Sequence, residues 1–185
     1  RALGHRSFVL GGILTLLLVL AAVVSLVWTP WSPYEMNLPG KLADPSAEHW
    51  LGTDAFGRDV ASLLLVGARN SILVGVIAVS IGLLAGTAFG LIASARRGWV
   101  EELIMRLSDF TFAFPAILSA IMMTAVFGAG IVNSIIAIGI FNIPTFARIT
   151  RASANAIWSR EFVLAARACG KGPWSITMDH VLPNI

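Results

Sequence analysis

Three stretches of this chain carry no charged residue: 7–34, 70–95 and 110–147. Crossing the hydrocarbon core of a bilayer takes roughly 20 consecutive apolar residues. The first two runs each hold one span, near residues 8–27 and 72–93. The third run, 38 residues, is long enough for two. Gly128-Ala129-Gly130 lies near its middle and reads as the turn between them, which predicts spans near 110–127 and 131–149. Composition points the same way. Of 185 residues, 57% are hydrophobic and 12% charged, where soluble domains carry roughly 25% charged residues. The expected class is therefore an all-α polytopic membrane protein with four spans in this chain.

The net charge of +3 could suggest nucleic acid. In a chain this apolar, basic residues mark cytoplasmic membrane flanks instead, so no nucleic-acid partner is expected. Cys169 is the only cysteine, which excludes an internal disulfide and a Cys-rich zinc site. The chain opens on Arg1 rather than Met, which predicts a further piece before it. Arg1 and Arg6 resemble the charged start of a signal peptide. The apolar stretch behind them is longer than the usual hydrophobic region, however, and Leu26-Val27-Trp28-Thr29-Pro30 offers no small-x-small cleavage pattern. A retained helix is the preferred reading.

Orientation follows from the loop Lys and Arg residues. With the N-terminus inside, the inner flanks hold Arg1, Arg6, Arg96, Arg97, Arg106, Arg148, Arg151, Arg160, Arg167 and Lys171, and the outer flanks only Lys41, Arg58 and Arg69. That asymmetry puts 28–69 outside as an extracytoplasmic loop and 150–185 in the cytoplasm. Trp28, Trp31 and Tyr34 suit an outer interfacial belt, and Trp99 an inner one.

Ala78, Gly82, Gly86, Gly90 and Ser94 recur every four residues along the second span, a stripe that permits close approach of another helix. It reads as helix packing within the subunit, or as a helix that slides or lines a path. Asp109 follows Arg106 by three residues, so the two can pair across one turn. The plain reading is an interfacial ion pair, and the other is a proton relay. Pro115 and Pro144 can kink their spans. No H-E-x-x-H, Gly-x-Ser-x-Gly or phosphate-binding Gly-x-x-x-x-Gly-Lys-Ser/Thr pattern is present. No enzyme site is expected, and nucleotide energy would have to be bound by another chain.

In the outer loop, Thr53, Asp54 and Gly57 read as turn and N-cap chemistry, and 60–66 as a short apolar helix entering the membrane. A metal reading would recruit Glu48, His49, Asp54 and Asp59. Their spacing is not diagnostic and Arg58 lies among them, so no metal is expected. In the tail, Phe162, Ala165, Ala166 and Cys169 fall at helical spacing, with Arg160, Arg167 and Lys171 off that stripe. Gly170 and Gly172 can end this helix and Pro173 can open another, carrying Trp174, Ile176, Thr177 and Val181 up to Pro183. Two short helices with a glycine bend make a docking surface for protein, or else a membrane-surface pair.

Leu164-Ala165-Ala166-Arg167-Ala168-Cys169-Gly170, nine residues, then His180-Val181-Leu182-Pro183 resembles the E-A-A-x3-G-x9-I-x-L-P loop of ABC-importer permeases. Ala165, Ala166, Gly170, Leu182 and Pro183 match. Leu164 stands where the family usually has Glu, and His180 where the general pattern has Ile. The His variant followed by Val-Leu-Pro-Asn is similar to the dipeptide/oligopeptide branch. So are Leu-Gly-Thr-Asp-Ala-Phe-Gly-Arg-Asp at 51–59, Met105-Arg106-Leu107-Ser108-Asp109, Ala113-Phe114-Pro115, Phe146-Ala147-Arg148 and Arg160-Glu161-Phe162-Val163. The resemblance covers nearly the whole chain, residues 1–185, as one permease domain of the C-type subunit.

The resemblance implies a six-span fold, of which this chain carries four and stops just after the loop. It implies a multi-pass protein of the bacterial inner membrane, a second permease subunit as partner in a heterodimer, two cytoplasmic ATPases holding ATP and Mg, and an extracytoplasmic substrate-binding protein. No cofactor is expected on this chain. The coupling loop, 160–183, would meet the ATPases through Arg160, Glu161, Ala165, Ala166, Gly170, Trp174, Leu182 and Pro183. Ala78, Gly82, Gly86 and Gly90 would pack helices. Dipeptides or oligopeptides are the implied cargo. Nickel or another small solute, or a scaffold or receptor that does not transport, are the alternatives.

Overall fold

The computed structural model of the chain describes residues 6–185. Arg1 of the inner-flank count lies outside them. Seven α-helices follow in order: α1 Arg6–Val24, α2 Val60–Ala95, α3 Trp99–Ala113, α4 Ala116–Phe127, α5 Ile131–Trp158, α6 Glu161–Ala168 and α7 Pro173–Ile176. Among the described residues there is no strand, only one isolated bridge between Thr53 and Asp59. Three helices, α1, α2 and α5, are long and apolar enough to cross a membrane, and α3 with α4 makes a fourth if the bent pair counts as one. The described residues divide at Leu73/Val74 into two units.

In the first unit, α1 is apolar all round and exposed along almost its whole length, as lipid contact demands. It ends where Ser25 caps back onto Ala22 O at 2.8 Å. The loop after it is folded by backbone hydrogen bonds: Asn37 N to Phe56 O, Leu42 N to Asp54 O, Thr53 N to Ala43 O and Val60 N to Gly52 O. Trp31 donates its backbone N–H to Ser62 Oγ at 3.0 Å and its indole N–H to Glu48 O at 2.9 Å.

Where sequence reading expects a short helix over 60–66 and a separate span from 72, one helix of 36 residues runs Val60–Ala95. Arg69 precedes the charge-free run on its N-terminal side. The helix passes through it because the Arg69 guanidinium reaches the carbonyl of Ser25 at 3.2 Å and so stays partnered.

In the second unit, α5 is the central element. Gly82 of α2 lies against Asn142, Gly86 against Ile143, Phe146 and Ala147, and Gly90 against Ala147 and Thr150. The contact climbs by about four residues in both helices at each step, so α2 and α5 run parallel. Against α5 on another side lies α3, joined by Glu101–Arg151 at 2.6 Å and by Asp109–Arg148. Here numbers rise in one helix as they fall in the other, so α3 is antiparallel to α5.

The span expected over 110–127 is two helices, not one. α3 stops at Ala113 and α4 starts after Pro115, with an 81° bend between them. A proline clashes with helical geometry at the residue before it, and Phe114 is extended, φ −94 and ψ 127. Pro144, by contrast, sits buried inside a continuous α5, which runs to Trp158, past the expected end at 149. The turn at 128–130 is where sequence reading puts it, with Gly128 at φ +85.

Candidate functional site

The tail is held to the helix ends by its own small core. Leu91 of α2, Ala154 and Trp158 of α5, Val163 of α6, and Ile176 and Val181 beyond it form one buried cluster, with Ala95, Ile157 and Ala166 against it. Val163, Ile176 and Val181 are at most 1% exposed. This corrects the expected stripe. Val163 and Ala166, three apart, make the packed face of α6, while Phe162, Ala165 and Cys169 are exposed. Phe162, the bulkiest residue of the expected stripe, does not join the core. Its ring instead meets that of His180 edge-on at 6.3 Å, which ties the two halves of the loop together.

Gly170 is the bend. It takes φ +83. Its N–H donates to Arg167 O at 3.0 Å and the N–H of Lys171 to Ala166 O at 3.1 Å. Those two bonds define a Schellman helix stop, a conformation glycine adopts without strain. Pro173 then occupies the first position of α7, where a missing N–H loses nothing. Lys171 Nζ and Ser175 Oγ both donate to Asp179 Oδ2 at 3.0 Å. The Lys171 ammonium, with the Ser175 hydroxyl, holds the Asp179 carboxyl below its ordinary range.

Arg160 stands before α6 in extended conformation, its carbonyl accepting from Val163 and Leu164 N–H. Arg160, Glu161 and Phe162 share a groove of about 620 Å³ with Ser159 and Asn184. Leu182 and Pro183 lie in the short 3-10 turn, Leu182–Asn184, beside that groove's Asn184. Trp174 stands in a different one, about 460 Å³, with Ile92, Ala95, Arg96 and Pro173. Of the expected coupling residues, Arg160 and Glu161 thus line one groove and Trp174 another, while Ala165, Ala166, Gly170, Leu182 and Pro183 line neither. Leu164 is exposed, so an apolar side chain faces outward where the resembling family usually carries Glu.

The small-residue stripe, Ala78, Gly82, Gly86, Gly90 and Ser94, is buried throughout. A Cβ at Gly86 would lie 2.6 Å from both Ile143 O and Phe146 Cβ, and one at Gly90 2.6 Å from Ala147 O. Close backbone approach between α2 and α5 needs these residues small.

Arg106 does not pair with Asp109. It reaches back four residues to Glu102 at 2.6 Å, and Asp109 meets Arg148, whose guanidinium also lies 4.6 Å from the Phe112 ring. Sequence spacing could not reveal a partner 39 positions away. Three buried polar atoms on α5 lack partners among the described residues: Arg151 Nε, Asn155 Oδ1 and Trp158 Nε1. Steps of four and three put them on one helix face.

In the outer loop the side-chain cap of α2 is Asp59, not Thr53, Asp54 or Gly57. Asp59 Oδ2 accepts from Ser62 N–H at 2.7 Å and Ser62 Oγ at 2.8 Å, and His49 Nδ1 lies 3.0 Å from Oδ1. Burial pushes its carboxyl up, but the Ser62 bonds and His49 outweigh this and hold it below its ordinary value. Asp54 instead receives N–H from Phe56 and Arg58 and a salt bridge from Arg58 at 2.6 Å, and the Arg58 contact lowers its pKa. Among the described residues no group of three or more His, Cys, Asp or Glu is placed to hold a metal.

Residues 79–185 match the family described as binding-protein-dependent transport system inner membrane component. Among relatives, the chain is 37% identical over 185 residues to the glutathione transport system permease protein GsiD of Pectobacterium atrosepticum, covering 100% of this chain and 62% of that one. It is 41% identical over 180 residues to the dipeptide transport system permease protein DppC of Alkalihalophilus pseudofirmus, 97% of this chain and 59% of that one. With the GsiD of Escherichia coli O6:K15:H31 it shares 42% over 173 residues, 91% and 57% of the two chains. The chain thus spans about three fifths of the length of these curated relatives.

Proposed function

The chain belongs to the family of binding-protein-dependent transport system inner membrane components, and from that premise we propose that it is a permease subunit of an ATP-driven importer for dipeptides, oligopeptides or a small peptide such as glutathione. It forms half of a translocation path with a second permease subunit. An extracytoplasmic binding protein delivers the cargo. Two cytoplasmic ATPases, which hold the ATP and Mg, dock on the loop at 160–183. The chain itself carries no catalytic group or cofactor and sits in the bacterial inner membrane with its N-terminus in the cytoplasm.

The observation that carries this reading is the seating of the loop. A partner pushing on α6 moves Val163, and Val163 belongs to the same buried cluster as Leu91, Ala154 and Trp158 at the ends of two long helices. An exposed outer face over a buried inner one is what a lever between a soluble motor and membrane helices requires. Arg160, Glu161, Ala165, Leu182 and Pro183 supply the outward face, with Gly170 setting its shape.

The test is reconstitution of the full-length protein with its cognate partners in liposomes, followed by uptake of labelled dipeptide, oligopeptide, glutathione and nickel. ATP-dependent uptake of a peptide, with hydrolysis stimulated by loaded binding protein, is expected. Uptake of nickel alone would transfer the assignment to small solutes. Absence of ATPase subunits from the purified complex would leave the scaffold reading.

A further inference from the structure

Between the end of α2 and the loop lies a second, basic pocket of about 260 Å³, walled by Ser94, Arg97, Trp158, Arg167, Lys171 and Ile176. Three cations face one small space. Lys171 is compensated by Asp179 at 3.0 Å. Among the described residues, neither Arg97 nor Arg167 has a carboxylate within salt-bridge distance. Arg167 lies over the Trp158 ring, 5.5 Å from its centroid. Trp158 is only 5% exposed and contributes its ring to the pocket wall. The mainly apolar groove of Ile92, Ala95, Pro173 and Trp174, with Arg96 also in its wall, adjoins and shares Ala95 and Pro173 with the basic pocket.

We infer that the basic pocket binds the phosphate of an anionic phospholipid, with the first part of an acyl chain lying along the Ile92–Trp174 groove. Arg97 and Arg167 supply the charge, and the Trp158 ring backs Arg167 at the pocket wall. A free phosphate would satisfy the cations, but it leaves the adjoining apolar groove empty. That groove, at the end of a helix charge-free from Asn70 to Ala95, is what selects a lipid. Basic pockets beside membrane helices are suited to phosphate headgroups. The bound lipid would brace the loop core against α2, with Trp174 turned to lipid rather than to the ATPase.

The test uses the full-length permease purified with its partner subunits in detergent. Native mass spectrometry compares retention of phosphatidylglycerol and phosphatidylcholine of the same chain length, with millimolar inorganic phosphate as competitor. Because binding is read in detergent, its result does not depend on orientation, cargo or transport activity. Preferential retention of phosphatidylglycerol is expected. A basic residue near an anionic headgroup contributes about 1 kcal/mol, so Arg97→Gln and Arg167→Gln should each lower retention about fivefold. Arg97→Lys should keep most of it. Arg97 is exposed and is not among the residues of the loop core, so its variant isolates charge even if Arg167→Gln folds poorly. Equal retention of both lipids, or unchanged retention in Arg97→Gln, would overturn the assignment. Displacement of the lipid by inorganic phosphate would replace lipid by free anion and overturn it too.

Discussion

A Cβ at Gly170 would meet nothing within 4 Å, so what the position demands is conformation, not space. At φ +83 a β-branched residue is strained by about 1–3 kcal/mol. Gly170→Val should unwind the Schellman stop and displace Lys171 from Asp179, while Gly170→Asn, which tolerates that region, should be milder. ATPase co-purification and substrate-stimulated hydrolysis read the effect. Equal behaviour of Val and wild type would remove the bend from coupling. Asp59 acts at the same scale by a different means. Its carboxylate caps α2 through Ser62, and Asp59→Ala should cost about 1–2 kcal/mol and expose the loop to trypsin at Arg58. Because its folded pKa lies below the ordinary 3.8, the stabilisation is fully present above about pH 4 and is lost as pH falls through the folded value. Trypsin cannot report at that acidity. Acid unfolding followed by Trp fluorescence should begin at lower pH in wild type than in Asp59→Ala, with the difference in stability narrowing as pH falls through the folded value; a difference independent of pH would remove the linkage.

At the scale of elements, two glycines of one helix separate packing from propensity. Gly86 has no room for a Cβ against α5, whereas Gly75 has nothing within 4 Å. Gly86→Leu should destabilise by about 1–3 kcal/mol or more, seen as loss of folded subunit and of assembly. Gly75→Ala should be neutral or gain up to about 1 kcal/mol from helix propensity. Equal tolerance at both sites would remove the stripe from the argument. The stripe itself was legible, since spacing of four is a helical face, and so was the turn at Gly128. The partner of the stripe was not, because nothing in local sequence says that Asn142, Phe146 and Thr150 lie opposite. The break at Phe114 was half legible: Pro115 announced a distortion, but whether a proline bends a helix or ends it depends on packing, as the buried, continuous Pro144 shows. Of the loop, Gly170 and Pro173 were legible from turn chemistry. Val163 was not, because an eight-residue helix offers more than one apolar face and only the cluster with Trp158 chooses between them.

For the molecule as a whole, parallel packing of α2 and α5 has a topological consequence. If both cross the membrane in one direction, the chain must return between them, and α3 with α4 is the only segment available. The 81° bend therefore belongs to a broken crossing in this reading, with the loop at 160–183 on the same side as Arg96 and Arg97. In the proposed topology the charge asymmetry assigns that side to the cytoplasm. Cys169, the only thiol, tests it. It is exposed on the loop and lies four residues after Ala165 on the outward face of α6. A membrane-impermeant maleimide should leave it unlabelled in intact cells and label it readily in inside-out vesicles stripped of ATPase. Adding the ATPases back should slow the labelling. A denatured sample sets the full extent. Rapid labelling of intact cells would overturn the topology. Labelling from inside at a rate the ATPases do not change would take the docking face away from Ala165 and Cys169 and leave the topology standing.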